Sequence, residues 1–571
     1  MERLEVKTVK GNKYYYYSEW GWKDGKCRRL WQKYLGTLET IVRAVDGCAP
    51  AESAKVFEYG LVAALWEECQ RQEVVQAVDT IRPKRRQGLS VGQYMAIAAI
   101  NRADDPASKR GIWDWFVDTP LRRVFPDATA QTLSSQRFWD HMDAISESDA
   151  RAAWSVISSG AMRRENIDLS QVSYDGTNFY TFISTFNERC GVAKRGKNKQ
   201  GRSNLRQVSY ALFCARDGNI PLFYDVYEGN MADAKQFPLM INRFKEFLGS
   251  QPGLVSAKPD VTVVFDKGNN SDENIRLLDE LQIEFVGSLK SSATPDLADI
   301  SSSSAEFIPC VSGNLEGVKY ISRKINLHGK ERHVVLTHGA ELFRTQWLTL
   351  NNDIERAMLE LDTLKRRLDD RAKGLIKGGK PPTEASVNSA CKEILSRQYV
   401  ARILKYTVSK APTPTIKYEL DASELERVAN TALGKKILFS TRLDWHPEKV
   451  IDAYHGQYVI EHTFKEMKSR DMGSWWPLSR WTDQKINIHG FYCTVAILLK
   501  SLLHRRARLA GLDISMRRML DELTGIKEVL LIGKKKKGGS VSLQRTVLTQ
   551  TSELQDSLLN LFSIGKQKND T

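Results

Sequence analysis

The sequence has few of the features that mark membrane, secreted or zinc-binding proteins. Its eight cysteines, at positions 27, 48, 69, 190, 214, 310, 391 and 493, form no Cys-x-x-Cys pair. This spacing argues against structural zinc and against a disulfide framework, and it favours a reducing cytoplasm. Residues 1–11 are polar and charged, so we expect no signal peptide. The longest apolar stretch, 491–503, is interrupted by Lys500 and predicts a buried helix rather than a membrane span.

Acidic residues are outnumbered by basic ones. The chain has 84 Lys and Arg against 69 Asp and Glu, a net charge of +15. This excess favours a polyanionic partner, because each phosphate that Lys or Arg neutralises releases condensed counterions. Charge alone leaves other partners open, since many basic proteins bind no nucleic acid. At 571 residues the chain exceeds one hydrophobic core, so we expect two to four domains.

The N-terminal third changes character once. Aromatic and polar side chains alternate over residues 1–36 around a Lys-Asp-Gly turn at 23–25, which predicts a small β-hairpin unit within residues 1–50. Residues 51–165 have helical periodicity with basic breaks, and we interpret them as a probable DNA-binding region. They contain no clear helix-turn-helix, and a helical support domain explains the pattern equally well.

The remaining chain predicts an α/β core that is interrupted by a second unit. Residues 166–290 predict hairpin-linked strands followed by αβαβ, with a helix from about Asp272 and a strand over 284–289. This order describes a mixed sheet with helices on its faces. Residues 291–435 interrupt this core, with an apolar stripe at about 3.5-residue spacing that favours core packing over a zipper. We expect the core to resume over 436–510, with a long helix over 447–469, and a helical tail over 511–571.

Three acids stand where a phosphodiester-cleaving site needs them. Asp175 follows a predicted strand, Asp266 ends another, and Glu461 lies on the predicted helix over 447–469. Three carboxylates can hold two Mg²⁺ ions, which activate the attacking oxygen and stabilise the leaving one. Any one of these acids alone is more often solvated or a cap, and Asp175 before Gly176-Thr177 also fits a turn. Their order and context together support the catalytic interpretation.

The helix carrying Glu461 resembles a known signature. In the DDE transposases of bacterial insertion sequences, one branch has Tyr, two residues, Arg, three residues, Glu, six residues, Lys. Tyr454, Glu461 and Lys468 match this register, but Gln457 stands at the Arg position. Further matches are Tyr174-Asp175-Gly176-Thr177, Gly201-Arg202 to Arg206-Gln207, Gly229 to Asp233, Asp266-Lys267-Gly268, Glu273-Asn274, Trp476-Pro477, Arg480 to Asp483, His489, Asn101-Arg102 and Pro106 to Lys109. The chain therefore resembles this family over most of its length.

The resemblance implies a fold, a reaction and partners. It implies a ribonuclease-H-like core with an insertion domain before the glutamate helix. It also implies metal-dependent cleavage and strand transfer at the terminal inverted repeats of an insertion sequence, with two Mg²⁺ ions for which Mn²⁺ can substitute. The partners would be double-stranded DNA and a second copy of the chain, in a prokaryotic cytoplasm at the nucleoid. A non-catalytic DNA-binding descendant and a plain structure-selective nuclease are the two rival interpretations.

We also expect specific DNA contacts. The segment 194–206 has six basic residues and no acid, so a DNA-backbone role is favoured over a solvated loop. A neutral Gln457 can hydrogen-bond phosphate but supplies no charge. Trp476 is a candidate for stacking on a flipped base, with core packing as the alternative. Lys534 to Lys537 is either a flexible tail or a phosphate clamp. The predicted DNA-binding residues are Tyr454, Gln457, Lys468, Arg202, Arg206, Lys199 and Trp476.

Overall fold

A computed structural model describes residues 2–9, 11–23, 26–38, 41, 53–83, 88–196, 201–202, 204–250, 260–469, 475–476, 478, 482–532 and 544–565. The chain divides into two compact units, each built from separate stretches of sequence. The first unit contains residues 1–68, 109–134 and 506–571. The second contains residues 69–108 and 135–505.

The elements are numbered in chain order. The strands are β1 Glu2–Val9, β2 Asn12–Lys23, β3 Lys26–Thr37, β4 Ser53–Glu58, β5 Gln171–Tyr180, β6 Lys194–Arg195, β7 Arg206–Ala215, β8 Ile220–Glu228, β9 Thr262–Val264, β10 Glu284–Leu289, β11 Ile308–Pro309, β12 Val318–Leu327, β13 Lys330–Gly339, β14 Leu404–Val408, β15 Ile416–Leu420, β16 Lys435–Ser440, β17 Lys527–Ile532 and β18 Gln544–Leu548. The helices are α1 Gly60–Arg71, α2 Val74–Ile81, α3 Val91–Ala103, α4 Ile112–Val117, α5 Leu121–Val124, α6 Ser135–Asp143, α7 Glu147–Arg164, α8 Asp233–Gly249, α9 Asp272–Glu280, α10 Pro295–Ala298, α11 Ala340–Ala372, α12 Glu384–Ile394, α13 Val400–Ile403, α14 Ala422–Thr431, α15 Pro447–His455, α16 Tyr458–Lys468, α17 Asp483–Leu509, α18 Met516–Gly525 and α19 Glu553–Leu561.

The first unit holds two small antiparallel sheets. Strands β1, β2 and β3 form one, and the other has the order β18-β17-β4. The second sheet is tied to its surroundings through Glu528, whose fully buried carboxylate is paired with Arg122 and Arg123. A charge without water needs such partners, because losing one leaves an uncompensated ion. The tail predicted as helical thus contains two strands, since β17 pairs with the distant β4 and local periodicity carries no sign of this partner.

The second unit is organised around one mixed sheet. The strand order β8-β7-β5-β9-β10 lies at its centre, where β5, β7 and β8 are antiparallel and β5, β9 and β10 are parallel. All ten residues of β7 are buried, so the sheet is covered on both faces. This arrangement confirms the expected α/β class with a ribonuclease-H-like core.

The most apolar helix is part of a core. By length and composition, α17 is the one helix of the described chain that could cross a membrane, but its apolar window is 100% buried inside the protein. The buried helix predicted from residues 491–503 is confirmed. Its Thr494 side chain contacts the hydroxyl of Tyr210 in β7 at 2.8 Å, which ties the helix to the sheet.

The first part of the segment that interrupts the core adds strands to the central sheet. Strand β16 pairs antiparallel with β10 on one side and with β13 on the other, and β12 pairs with β13. Residues 340–434 then form α11 to α14 with the β14–β15 hairpin. Their apolar side chains share one cluster that includes the predicted stripe positions Ile354, Leu361 and Leu368. Core packing is confirmed as the role of this stripe.

Two sequence-based expectations about the site are corrected. The helix expected over 447–469 is two helices, α15 and α16, separated at Gly456 and Gln457. A Cβ at Gly456 would lie 3.0 Å from the carbonyl oxygen of Ala453, a tight contact that favours a small residue at this turn. Asp175 lies in the middle of β5 rather than after it, because pairing with β7 extends the strand to Tyr180.

Candidate active site

The two aspartates lie at the same level on neighbouring parallel strands. The last register pair between β5 and β9 is Ser173 with Val264, and Asp175 and Asp266 each stand two residues beyond it. Adjacent strands are about 4.8 Å apart, so this register places the two carboxylates side by side where the parallel pairing ends. Asp266 accepts a hydrogen bond of 2.7 Å from the backbone N–H of Lys267. Its side chain is exposed.

A third parallel strand adds Ser288 at that level. Val264 pairs with Val286, so Ser288 in β10 continues the register of Asp266. The hydroxyl oxygen of Tyr454 lies 3.0 Å from Oγ of Ser288 and 3.1 Å from Oδ1 of Asp266. The sequence offered no local sign of Ser288, but the register of two adjacent parallel strands would have identified it.

The hydroxyl of Tyr454 stays protonated. Burial raises the pKa of Tyr454 far above its usual value, and the negative charges of Asp266 and Glu461 add to this effect. A protonated phenol can donate to Asp266 and thereby hold that carboxylate in one orientation. Tyr454 is 8% exposed, so it supports the site from inside rather than from the DNA side.

Glu461 faces a large cleft. The cleft has a volume of about 1090 Å³ and is lined by Asp266, Tyr454, Gln457 and Glu461 from the core. Gln346, Gln398, Tyr399 and Thr431 line it from residues 340–434. Lys267, Lys290 and Lys436 also border the cleft, and their side chains are exposed. The expected acid of the helix therefore shares its cleft with three lysines whose charge suits a phosphate backbone.

Gln457 points inward. Its Nε2 donates a hydrogen bond of 3.1 Å to the carbonyl of Tyr174, and the residue is 5% exposed. Its Oε1 is also buried and has no hydrogen-bond partner within the described residues. The amide group is engaged with β5, which corrects the expectation of a DNA-facing side chain. Gln457 instead joins the beginning of α16 to the strand that carries Asp175.

Lys468 also reaches β5. Its Nζ donates to Oγ1 of Thr177, two residues after Asp175, and lies 5.6 Å from the centre of the Phe179 ring. Both ends of α16 are thus bound to the strand of the first aspartate. The DNA contact expected of Lys468 remains a prediction.

The basic segment divides into two roles. Arg202 is exposed, with its guanidinium carbon 4.6 Å from the centre of the Tyr180 ring. Arg206 is 8% exposed and donates to four backbone carbonyls, those of Ser184, Asn187, Cys190 and Ala193. This placement corrects its expected DNA contact, because its donors already hold the loop before β7 together. Lys199 and Lys534 to Lys537 lie outside the described residues.

The tryptophans after α16 pack in the core. Trp475 is fully buried and stacks on Phe179 with ring centres 4.5 Å apart. Trp476 is 8% exposed and donates from Nε1 to the carbonyl of Tyr180 at 3.1 Å. Its expected role in stacking on a flipped base is corrected, and the alternative of core packing holds. Trp481 lies outside the described residues.

The three acids fit hard divalent cations by chemistry. Carboxylate oxygens are the ligands that Mg²⁺ and Mn²⁺ prefer. Within the described part of the chain, neither Asp266 nor Glu461 forms an ion pair, so their charges are not neutralised by a neighbouring cation. No three His, Cys, Asp or Glu side chains in that part are gathered closely enough to hold a metal ion as they stand. Asp175, Asp266 and Glu461 therefore need to draw together around the ions.

Comparison with known proteins identifies the family. The family model described as "Transposase DDE domain" matches residues 170–498, more than half of the chain and all within the second unit. The piggyBac transposase synaptic complex with hairpin DNA has 12% identity and a TM-score of 0.36, covering 82% of each chain. The Mos1 transposase paired-end complex has 10% identity and a TM-score of 0.15, covering 38% of this chain and 62% of that one. No curated protein sequence matches significantly. On the strength of the family model, this chain belongs to the transposase DDE domain family and is a DNA transposase.

Proposed function

We propose that this transposase cuts and joins DNA at the terminal inverted repeats of an insertion sequence, and that it belongs to the branch with the Tyr-Arg-Glu-Lys signature. The observation that carries the proposal is the shared level of Asp175 and Asp266 on neighbouring parallel strands beside Glu461. Gln457 at the Arg position then gives this chain a neutral variant of the signature.

Asp175, Asp266 and Glu461 would hold two Mg²⁺ ions, with Mn²⁺ as a substitute. When bound, such a pair activates the attacking oxygen and stabilises the leaving one. Tyr454 would keep Asp266 oriented, since its hydroxyl lies 3.1 Å from Oδ1. Lys267, Lys290 and Lys436 would bind phosphates that enter the cleft, because all three border it and are exposed.

The partner would be double-stranded DNA, both as element ends and as target. Two ends must be brought together for one insertion, so we propose that two copies of the chain assemble on DNA. The reaction would take place at the nucleoid in a prokaryotic cytoplasm.

The test uses the duplex ends that flank the protein's reading frame, with Mg²⁺ and a target plasmid. Wild type should cleave the ends and join them to the plasmid. Asp175→Asn, Asp266→Asn and Glu461→Gln should each reduce cleavage by about 1000-fold or more, since each removes a metal ligand. Asp444→Asn is the matched control, because Asp444 is exposed and does not line the cleft.

Joining separates the proposal from its rivals. Cleavage without joined products would identify a nuclease, and duplex binding without cleavage would identify a non-catalytic descendant. Mn²⁺ binding, measured by electron paramagnetic resonance, gives a readout that does not depend on turnover. A ligand variant with undiminished cleavage would remove that residue from the site.

A further inference from the structure

The N-terminal sheet lies in a strongly basic segment of the chain. Residues 1–37 contain nine Lys and Arg against four Asp and Glu, so they supply +5 of the chain's +15. The sheet has three strands, β1, β2 and β3, which pair with one another. It lies wholly before residue 170, where the match to the transposase domain begins. The sheet is therefore not part of the matched DDE domain.

The strand register sorts the side chains onto two faces. Residues directly opposite in an antiparallel pair point to the same side of the sheet. The pairs Glu5 with Tyr16 and Tyr16 with Tyr34 therefore define one face. This aromatic–basic face contains Arg3, Glu5, Lys7, Tyr14, Tyr16, Trp20, Trp22, Arg29, Gln32 and Tyr34.

Cations on this face are held against aromatic rings. The guanidinium of Arg3 lies 4.4 Å from the centre of the Trp20 ring, and that of Arg29 lies 5.8 Å from it. The ammonium of Lys7 lies 4.8 Å from the centre of the Tyr16 ring. These side chains are fixed in place while remaining exposed, so they present positive charge to solvent with little entropy left to lose.

One acid organises the face rather than neutralising it. Glu5 accepts a hydrogen bond of 2.6 Å from Nε1 of Trp20 and one of 3.1 Å from Nε2 of Gln32. It also pairs with Arg3 and Arg29, both at 3.4 Å. A single carboxylate therefore positions the tryptophan and both guanidinium groups, and a net positive charge remains.

The opposite face, named the aliphatic face, combines aliphatic side chains with Tyr15, Tyr17 and Trp31. The pairs Leu4 with Tyr17 and Glu19 with Trp31 define it, and a Cβ at Gly21 would meet the side chain of Leu30. Leu4, Val6 and Leu30 are at least 50% exposed there. Lys13, Arg28 and Lys33 lie on this face too. Both faces thus carry cations, and they differ in how those cations are held.

We propose that the aromatic–basic face binds duplex DNA by entering its major groove. The outer strands lie two interstrand spacings, or roughly 10 Å, apart, a separation comparable to the width of the groove, about 12 Å. Sheets and ribbons that read grooves in this way are known as a class of DNA-binding element. The two guanidinium groups against Trp20 supply forked donors for guanine edges or phosphates. This goes beyond the proposed function, because it assigns DNA recognition to a segment outside the DDE domain.

The test compares two full-length triple variants that lose the same charge. Arg3→Gln/Lys7→Gln/Arg29→Gln alters the aromatic–basic face, and Lys13→Gln/Arg28→Gln/Lys33→Gln alters the aliphatic face. Fluorescence anisotropy with a labelled duplex of the element end is measured without divalent metal. We expect the first variant to bind at least about tenfold more weakly and its salt slope to fall by about 2.7, roughly 0.9 per lost contact. The second should stay within about twofold of wild type.

Additional variants and controls separate a loss of DNA contacts from a loss of folding. Circular dichroism and amide hydrogen exchange over residues 1–37 check that the sheet is folded, and Arg3→Lys/Arg29→Lys keeps the charge while removing the forked donors. We expect this double variant to lose preference for the end sequence but to retain most of its salt slope. Equal losses in both triple variants, or full competition by single-stranded DNA, would overturn the proposal. Because binding is measured without metal, the outcome is independent of whether the protein cleaves DNA.

Discussion

The side-chain amide of Gln457 donates to the backbone carbonyl of Tyr174, and this bond fixes α16 against the strand of Asp175. At the position where the family signature has Arg, this chain thus has a side chain that connects α16 to β5. Replacing Gln457 by Leu leaves the carbonyl of Tyr174 buried without a donor. We expect this to lower the free energy of unfolding by about 1–3 kcal/mol.

The same variant distinguishes a contact between α16 and β5 from a contact with DNA. Because the amide faces β5, Gln457→Leu should reduce cleavage while the affinity for duplex DNA, measured without divalent metal, stays unchanged. Urea denaturation and anisotropy titrations at several salt concentrations measure the two effects. Gln136→Leu is the matched control, since Gln136 is exposed and does not line the cleft. A weaker affinity of Gln457→Leu for duplex DNA, as a lost hydrogen bond to phosphate would cause, would restore the DNA-facing interpretation.

Tyr454 should act through Asp266. Tyr454→Phe keeps the ring and removes the hydroxyl, and with it the contact to Asp266 Oδ1. Residues that orient a ligand typically contribute about 10- to 100-fold to metal affinity or activity. We expect Mn²⁺ affinity and cleavage to fall together within this range. Tyr320→Phe, in β12, is the matched control. Unchanged Mn²⁺ affinity would remove the orienting role.

The sequence predicted those elements that local periodicity determines. The strand over 284–289, the helix from Asp272 and the buried helix around 491–503 are found where their patterns placed them. Strands β17 and β18 were not predicted, because their pairing depends on β4, far away along the chain.

Within the site, the spacing of motifs in the sequence identified the right residues, but it did not predict what several of them contact. Asp175 and Asp266 are neighbours because of the parallel register between β5 and β9. The pattern of each strand taken alone does not determine this register. Arg206 and Trp476 were interpreted as DNA contacts because residue type alone does not reveal burial. A basic or aromatic side chain serves loop carbonyls or a core equally well, and only the fold distinguishes these uses.

Lys435 should make stability depend on pH. Burial lowers the pKa of Lys435 to about 8, while its Nζ donates to the carbonyl of Ala298 at 3.1 Å. Between about pH 8 and the usual lysine value near 10.4, the unfolded chain binds a proton that the folded chain does not. Stability therefore rises with pH through this window, and the contribution is unfavourable below it.

The measurement is a difference between variants. Lys435→Met removes the titrating group, so wild type should gain urea resistance relative to Lys435→Met as pH rises from 8 to 10. Lys436→Met, at the exposed neighbouring position, should run parallel to wild type over that range. Parallel curves for wild type and Lys435→Met would contradict the lowered pKa.

Residues 340–434 should be removable without loss of the core. Strand β13 ends at Gly339 and β16 begins at Lys435, and these strands are antiparallel neighbours in which His338 pairs with Lys435. A two-residue Asn-Gly turn can join strands in this geometry. The apolar side chains of the removed segment pack mainly against one another in a single cluster. Their removal therefore costs the core few contacts. The boundary is narrower than the predicted 291–435, because β12 and β13 belong to the sheet.

The deletion should separate folding from end recognition. Gln346, Gln398 and Tyr399 line the cleft from the removed segment, whereas Asp175, Asp266 and Glu461 all remain. We expect a cooperative unfolding transition and Mn²⁺ binding close to wild type, but a loss of end-specific cleavage of about 100-fold or more, because positioning contacts set where DNA is cut. Circular dichroism, electron paramagnetic resonance and cleavage of the element ends measure the three. Retained end-specific cleavage would remove the segment from DNA positioning, and a non-cooperative transition would contradict the boundary at Gly339 and Lys435.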